Sequence, residues 1–334
     1  MPTTTVAAAA SEAHVAHAAR EALTRGNAVD AVVTGVLVAA AHAAGVLLGP
    51  VQLLVGGGGA GLLAVDGRVR QPGTGIPRPR GSLAGDAIPQ AARVGVPALP
   101  AALAAILASS GRGTLTRAVA PAVEAARSLS PERAAFLRSF GRRGAAAMTD
   151  EATAGELVAI AGRAAGGAIT AEDLGSLRPG VVPCDALALG PEGVLRVPWE
   201  CPVEGGAATH VVAATDRGGM VAVACYEVAS DGLPVPVLGL IAPAVASPVM
   251  RGEARVRPGE PLPAPAPIAL VAKRGLVELA LGIAATDAGA RTLGAVLASL
   301  GDTPLVGDAF AGTPGCAVAL VRTRDAARVV ASAG

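Results

Sequence analysis

The chain has 334 residues, 52% apolar and only 1% aromatic, so a large core is within reach and Ala, Val and Leu must fill it. Basic and acidic residues balance at 27 and 26, a net charge of +1, which leaves no electrostatic footprint for nucleic acid. The five aromatic side chains (Phe136, Phe140, Trp199, Tyr226, Phe310) offer little for base stacking.

The first ten residues lack the basic region of a secretory signal, so a cytoplasmic location is expected. Residues 11–26 predict a helix, with Ser11 at its start and Ala16, Ala19 and Leu23 at helical spacing. A second helix over Ala28 to His42 is apolar on all sides and should be buried. Residues 31–65 carry no charge. Gly45, Gly49, Pro50 and the run Gly56 to Gly59 break them up, so a buried helix and strand fit better than a membrane span. Asp66-Gly67 predicts a hairpin turn between strands at Leu62 to Val65 and Val69 to Gln71. A Pro/Gly/Arg-rich loop follows over 72–92. Helices are expected at 99–110, 116–127, 132–139 and 155–165.

The second half turns β-rich. His210 to Ala214 and Met220 to Glu227 form one predicted hairpin, and Ile268 to Ala272 and Leu276 to Leu281 another. Residues 233–267 are Pro-rich and predict an extended connector. A helix at 287–300, a strand at 316–322 and a helical tail complete the chain. Helices between hairpins, without strict β-α alternation, predict an α+β fold of stacked antiparallel sheets with helices outside.

No cofactor or metal signature emerges. The cysteines (Cys184, Cys201, Cys225, Cys316) form no C-x-x-C pair. The glycine run lacks the Lys-Ser/Thr of a P-loop. His14 and His17 share a helix face, but no carboxylate partner is evident in sequence.

Five segments, in order, resemble the γ-glutamyltranspeptidase family. Gly26-Asn27-Ala28-Val29-Asp30-Ala31 matches its opening signature, with Pro50 and Gly56 to Gly59 at the family's spacing. Val94-Gly95-Val96-Pro97 and Leu115 through Pro121-Ala122-Val123 follow. Gly166 to Leu174 is similar to its Gly-Gly-x-x-Thr-x-Glu-Asp-Leu, and Gly205-Gly206-Ala207-Ala208-Thr209-His210 to the segment around its processing site. The resemblance implies a single domain with a four-layer αββα N-terminal-nucleophile hydrolase fold. Residues 1–207 correspond to the family's large subunit and 208–334 to its small one. In such enzymes a precursor cuts itself before a threonine, whose freed amine then helps its hydroxyl to attack an amide.

The position matching that threonine is Ala208, whose methyl group cannot attack a carbonyl, so the chain is expected to stay uncleaved. Other expected site positions differ too. Gly73-Thr74-Gly75-Ile76 lacks the carboxylate-binding Arg, with Arg70 and Arg78 nearby but out of register. Pro263 to Pro267 lacks the family's hydroxyls, Ala285-Thr286 replaces an oxyanion Gly-Gly, and Val51-Gln52-Leu53 replaces His-Ser-Ser. These changes run from polar to apolar, which suits a small apolar ligand better than glutamate. Thr209, His210, Cys201 and Glu204 are the candidate catalytic residues, with Glu200 and Asp216 close by in sequence. Three readings follow: an enzyme repurposed for acid–base chemistry such as cyclisation, elimination or isomerisation; a binding or scaffold pseudoenzyme; and a γ-glutamyl hydrolase or transferase working through Thr209. No nucleic acid or membrane partner is expected, and a homo-oligomer is compatible with all three.

Overall fold

The computed structural model describes residues 6–77, 81–178, 180–184, 193–202, 208–229, 231–273, 276–285, 289–300, 316–322 and 327–332. In chain order these form β1 (Ala7–Ala10), α1 (Ala13–Leu23), α2 (Ala28–His42), β2 (Val51–Gly56) and β3 (Leu62–Gly67). Five helices follow: α3 (Leu99–Ser110), α4 (Leu115–Leu129), α5 (Pro131–Arg143), α6 (Glu151–Ala161) and α7 (Ala171–Ser176). Then come β4 (Gly180–Cys184), β5 (Val194–Leu195), β6 (Ala208–Thr215), β7 (Val221–Val228), β8 (Gly232–Val235) and β9 (Leu240–Pro243). The chain closes with β10 (Ile268–Lys273), β11 (Leu276–Ala284), α8 (Gly289–Leu300), β12 (Cys316–Arg322) and β13 (Ala327–Ser332).

Two antiparallel sheets stack face to face. The first has the order β1-β6-β7-β2-β3-β4, the second β13-β12-β11-β10-β5, and β8 and β9 form a small ribbon. Alternation along β6 shows the layering. Val212 and Ala214 pack into the helical core, and Val211 and Ala213 into the core between the sheets. The far face of the second sheet, through Leu279, Leu281 and Ile283, packs on Leu293, Val296 and Leu297 of α8. The layers are therefore α-β-β-α. Small residues let the sheets approach closely: a Cβ on Gly282 would lie 3.0 Å from the Cβ of Val211.

The apolar helix α2 is buried from Ala28 to Ala41, as its sequence requires. Its start is a capping box. Asn27 accepts from the Asp30 amide at 3.1 Å, and Asp30 accepts from the Asn27 amide at 2.8 Å. Asp30 also accepts from the Arg112 and Gly113 amides, which fixes the α3–α4 turn against α2. The Gly166 to Leu174 segment works the same way. Thr170 and Asp173 form a capping box on α7, and the Asp173 carboxylate accepts from the Gly73 and Thr74 amides at 3.0 and 2.8 Å.

Two expectations are corrected. Asp66-Gly67 is not a turn: it continues β3, opposite Gln52 and Val51 of β2. The chain reverses instead through the glycine run, where Gly57, Gly58, Gly59 and Gly61 all have positive φ. Glycines adopt that conformation at little steric cost, so the longer run outcompetes the Asp-Gly pair. The tail expected to be helical is β13, whose Ala327 to Ser332 pair with β12. The 233–267 connector holds β8 and β9. Among the described residues no helix is long and apolar enough to cross a membrane.

Candidate functional site

The strand pair β6–β7 divides the candidate residues. Successive strand residues face opposite sides, so Thr209 lies on the face toward the second sheet and His210 on the face toward the helices. Glu204, the glycines Gly205 and Gly206, Thr286 and Arg78 lie outside the described residues.

Thr209 sits where the sheets meet. Its N–H donates to the Ala285 carbonyl at 2.9 Å, and its carbonyl accepts from the Ala285 amide at 3.2 Å. Both groups therefore point away from β7, where Thr209 faces Glu227. That makes them a non-hydrogen-bonded cross-strand pair, the closer type, with Cα atoms about 4.5 Å apart. Glu227 extends the inter-sheet face of Val221, Val223 and Cys225. It is 6% exposed. No described group donates a hydrogen bond to its carboxylate, and burial pushes its pKa up to about 7. It is a carboxylate poised to exchange a proton near neutrality.

A second inter-sheet group assembles around Gln52. Trp199 Nε1 donates to Gln52 Oε1 at 2.5 Å, and Cys201 Sγ lies 3.7 Å from the same oxygen. Gln52 Nε2 donates to the Ala264 and Pro265 carbonyls at 3.2 and 2.8 Å. Residues 51–53, 199–201 and 263–267 are thus brought together, but their polar groups satisfy one another. Beside them, Asp66 holds Arg68 at 2.9 Å and Arg70 at 3.1 Å, all three largely buried. Burial alone would raise the Asp66 pKa, but the Arg68 hydrogen bond and the charge of Arg70 outweigh it and hold the pKa low. Arg68 also lies 5.0 Å over the Trp199 ring. With both guanidiniums committed to Asp66, neither is free for a substrate carboxylate. Burial raises the Cys201 pKa to about 11 despite Arg68, so it is a thiol at neutral pH rather than a ready nucleophile.

His210 belongs to a different group. Its Nδ1 lies 3.4 Å from Ser11 Oγ and 3.5 Å from Glu12 Oε2, and its ring stacks on Tyr226 at 5.7 Å. Tyr226 donates to Glu12 Oε2 at 2.7 Å. His14 lies near Glu12 and packs on His42, with ring centroids 4.1 Å apart. His14 therefore pairs in space with His42 rather than His17, and no group of three metal-ligating residues occurs among the described residues. Asp216 is structural, accepting from the Ala28 and Met220 amides. Glu200 is exposed, and its carbonyl accepts from Arg68 at 3.5 Å.

Thr209 and Cys201 therefore share the inter-sheet side, while His210 is on the other. Glu227 and Arg68 were not among the candidates read from sequence. The signal for Glu227 was a carboxylate on the apolar alternation Val221, Val223, Cys225.

No family model matches the chain, and no curated protein matches it. Solved structures do. Cephalosporin acylase from Bacillus halodurans superposes with a TM-score of 0.66 at 14% identity, covering 98% of this chain and 96% of that one. LmbA2991 superposes with a TM-score of 0.69 at 14% identity, over 98% and 97%. The γ-glutamyltranspeptidase from Helicobacter pylori overlaps 59% of this chain and 65% of its own, at 20% identity and a TM-score of 0.42. The chain has an N-terminal-nucleophile-hydrolase-like α+β fold. It is the fold expected from the γ-glutamyltranspeptidase resemblance.

Proposed function

We propose that the chain works uncleaved and carries out acid–base chemistry on a small, largely apolar molecule at the inter-sheet end of β6 and β7. Glu227 transfers the proton, and the Thr209 hydroxyl positions the substrate. The observation that supports this is Glu227 itself: buried, without a hydrogen-bond partner, raised to about 7 and directly across the strand from Thr209. A general base or acid works best with a pKa near the operating pH. The polar groups that could have held a γ-glutamyl substrate, Gln52, Arg68 and Arg70, are taken up by neighbours in the fold.

The same Gln52 closure favours a second reading, a binding or scaffold protein without turnover. The probe 5-nitrobenzisoxazole separates the two. A base removes its ring C–H proton, the N–O bond breaks, and a coloured cyanophenolate is released. The proposal expects this rate to rise with pH through about 7, as Glu227 ionises, and to fall at least tenfold in Glu227→Gln. A rate indifferent to that substitution favours the binding protein. The third reading, hydrolysis through Thr209, predicts two fragments with Thr209 at a new N-terminus and release of dye from a γ-glutamyl anilide. The expected results are one 32.3 kDa species on a denaturing gel and an untouched anilide.

A further inference from the structure

We propose that a cleft at the β6–β7 turn binds a small, multiply charged anion through phosphoryl oxygens. The cleft has a volume of 840 Å³. Arg20 of α1, Arg25 before α2, Arg112 of the α3–α4 turn and Arg217 of the β6–β7 turn all line it. Three segments far apart in sequence thus bring four guanidiniums to one concavity. Arg112 reaches the opposite turn: a Cβ on Gly218 would lie 3.7 Å from its Nη2.

These charges are not neutralised by contact. Among the described residues none of the four guanidiniums forms an ion pair or hydrogen bond. Among the described residues Asp216 is the one carboxylate in the lining, and its oxygens accept from the Ala28 and Met220 amides. Asp30 behind it is likewise engaged by the Asn27, Arg112 and Gly113 amides. The chain as a whole carries only +1, so four unpaired cations in one cleft are a local concentration of charge. Like charges gathered this way repel one another, and an anion spanning them relieves the repulsion. Guanidinium forks match phosphoryl oxygens two at a time.

The cleft also has an apolar wall, with Leu23, Val6 and Val329, which can accept an organic group beside the phosphoryl chain. Among the described residues no aromatic side chain lines it, so they offer no stacking platform for a nucleic acid strand. It lies at the far end of β6 from Thr209, about 20 Å away at 3.3 Å per strand residue. The inference therefore stands apart from the proposed chemistry.

Isothermal titration of the full chain tests it, with inorganic tripolyphosphate and ATP as probes in separate arms. Saturable one-to-one binding is expected, weaker at 200 mM than at 50 mM salt. Arg112→Glu and Arg217→Glu should each weaken it at least tenfold with the circular dichroism spectrum and melting curve unchanged, and the milder Arg217→Gln should weaken it less. Arg142→Glu, on an exposed face of α5 outside the cleft, should bind as the unmodified chain does. Equal affinity for both probes identifies the phosphoryl chain as the recognised group, and tighter ATP binding identifies a nucleotide. The proposal is overturned by absence of saturable binding to either probe, by an equal loss in Arg142→Glu, or by binding of a 20-nucleotide oligomer alone.

Discussion

Glu227 keeps its proton to higher pH than an exposed carboxylate because charging it means removing a hydrated anion from water with no donor to replace the lost hydrogen bonds. The effect on stability has a definite sign. Between pH 4.5 and about 7 the folded chain holds one proton more than the unfolded one, so stability falls as pH rises through that window and levels off above it. The upper bound on this change is roughly 3 kcal/mol. Glu227→Gln removes the ionisation, so in urea it should match the unmodified chain near pH 4.5 and exceed it above pH 7. An identical pH dependence in both proteins would contradict the raised pKa. The separation of Thr209 from His210 follows from strand alternation alone, once β6 is known to run through both. Glu227 was hidden because no motif marks it, and its burial depends on β6 and β11, which approach it only in the folded chain.

Elements that the sequence specifies by periodicity and caps were the ones most readily read. Buried α2 and the helices α3 to α5 fall where apolar spacing and the caps Thr114 and Ser130 place them. The segments carrying the family resemblance at 26–31 and 166–174 prove to be two capping boxes whose aspartates also tie distant loops to the helices. Both segments therefore report the scaffold. β1 was not legible: its sequence is four alanines, strong helix formers, and only pairing with Val212 to Thr215 of β6 makes it a strand. The glycine turn between β2 and β3 supplies a prediction at this scale. Gly57→Ala would place a Cβ 2.2 Å from the Gly219 carbonyl, whereas Gly59→Ala meets open space. Gly59→Ala should cost about 1 kcal/mol for its left-handed backbone alone, and Gly57→Ala clearly more, measured as shifts in the denaturant midpoint.

Across the whole molecule, stability rests on many small side chains in three stacked interfaces. β12 covers one edge of β11 and carries the buried Val318 against the core between the sheets. Deleting 316–334 should leave β11 with an unpaired edge, and light scattering should then detect larger species than for the full chain. Stacked antiparallel sheets with helices outside were legible because hairpins and helices alternate in blocks, but which strand neighbours which was not: β7 meets β2 across more than 150 intervening residues.

β1 and β13 lie against one another, and Val6, Ala7, Ala327 and Val329 line the same cleft. Since the starts of the two strands meet there, a linker of about six residues running back along β13 could join its end to the start of β1 and turn the chain into a ring, which could be reopened ahead of β6. A circular permutant beginning at Thr209 would carry a free α-amine beside its own hydroxyl, with the Glu227 carboxylate across the strand and the nitrogen still within reach of the Ala285 carbonyl. Rearranging the gene would in this way supply an exposed amino-terminal threonine.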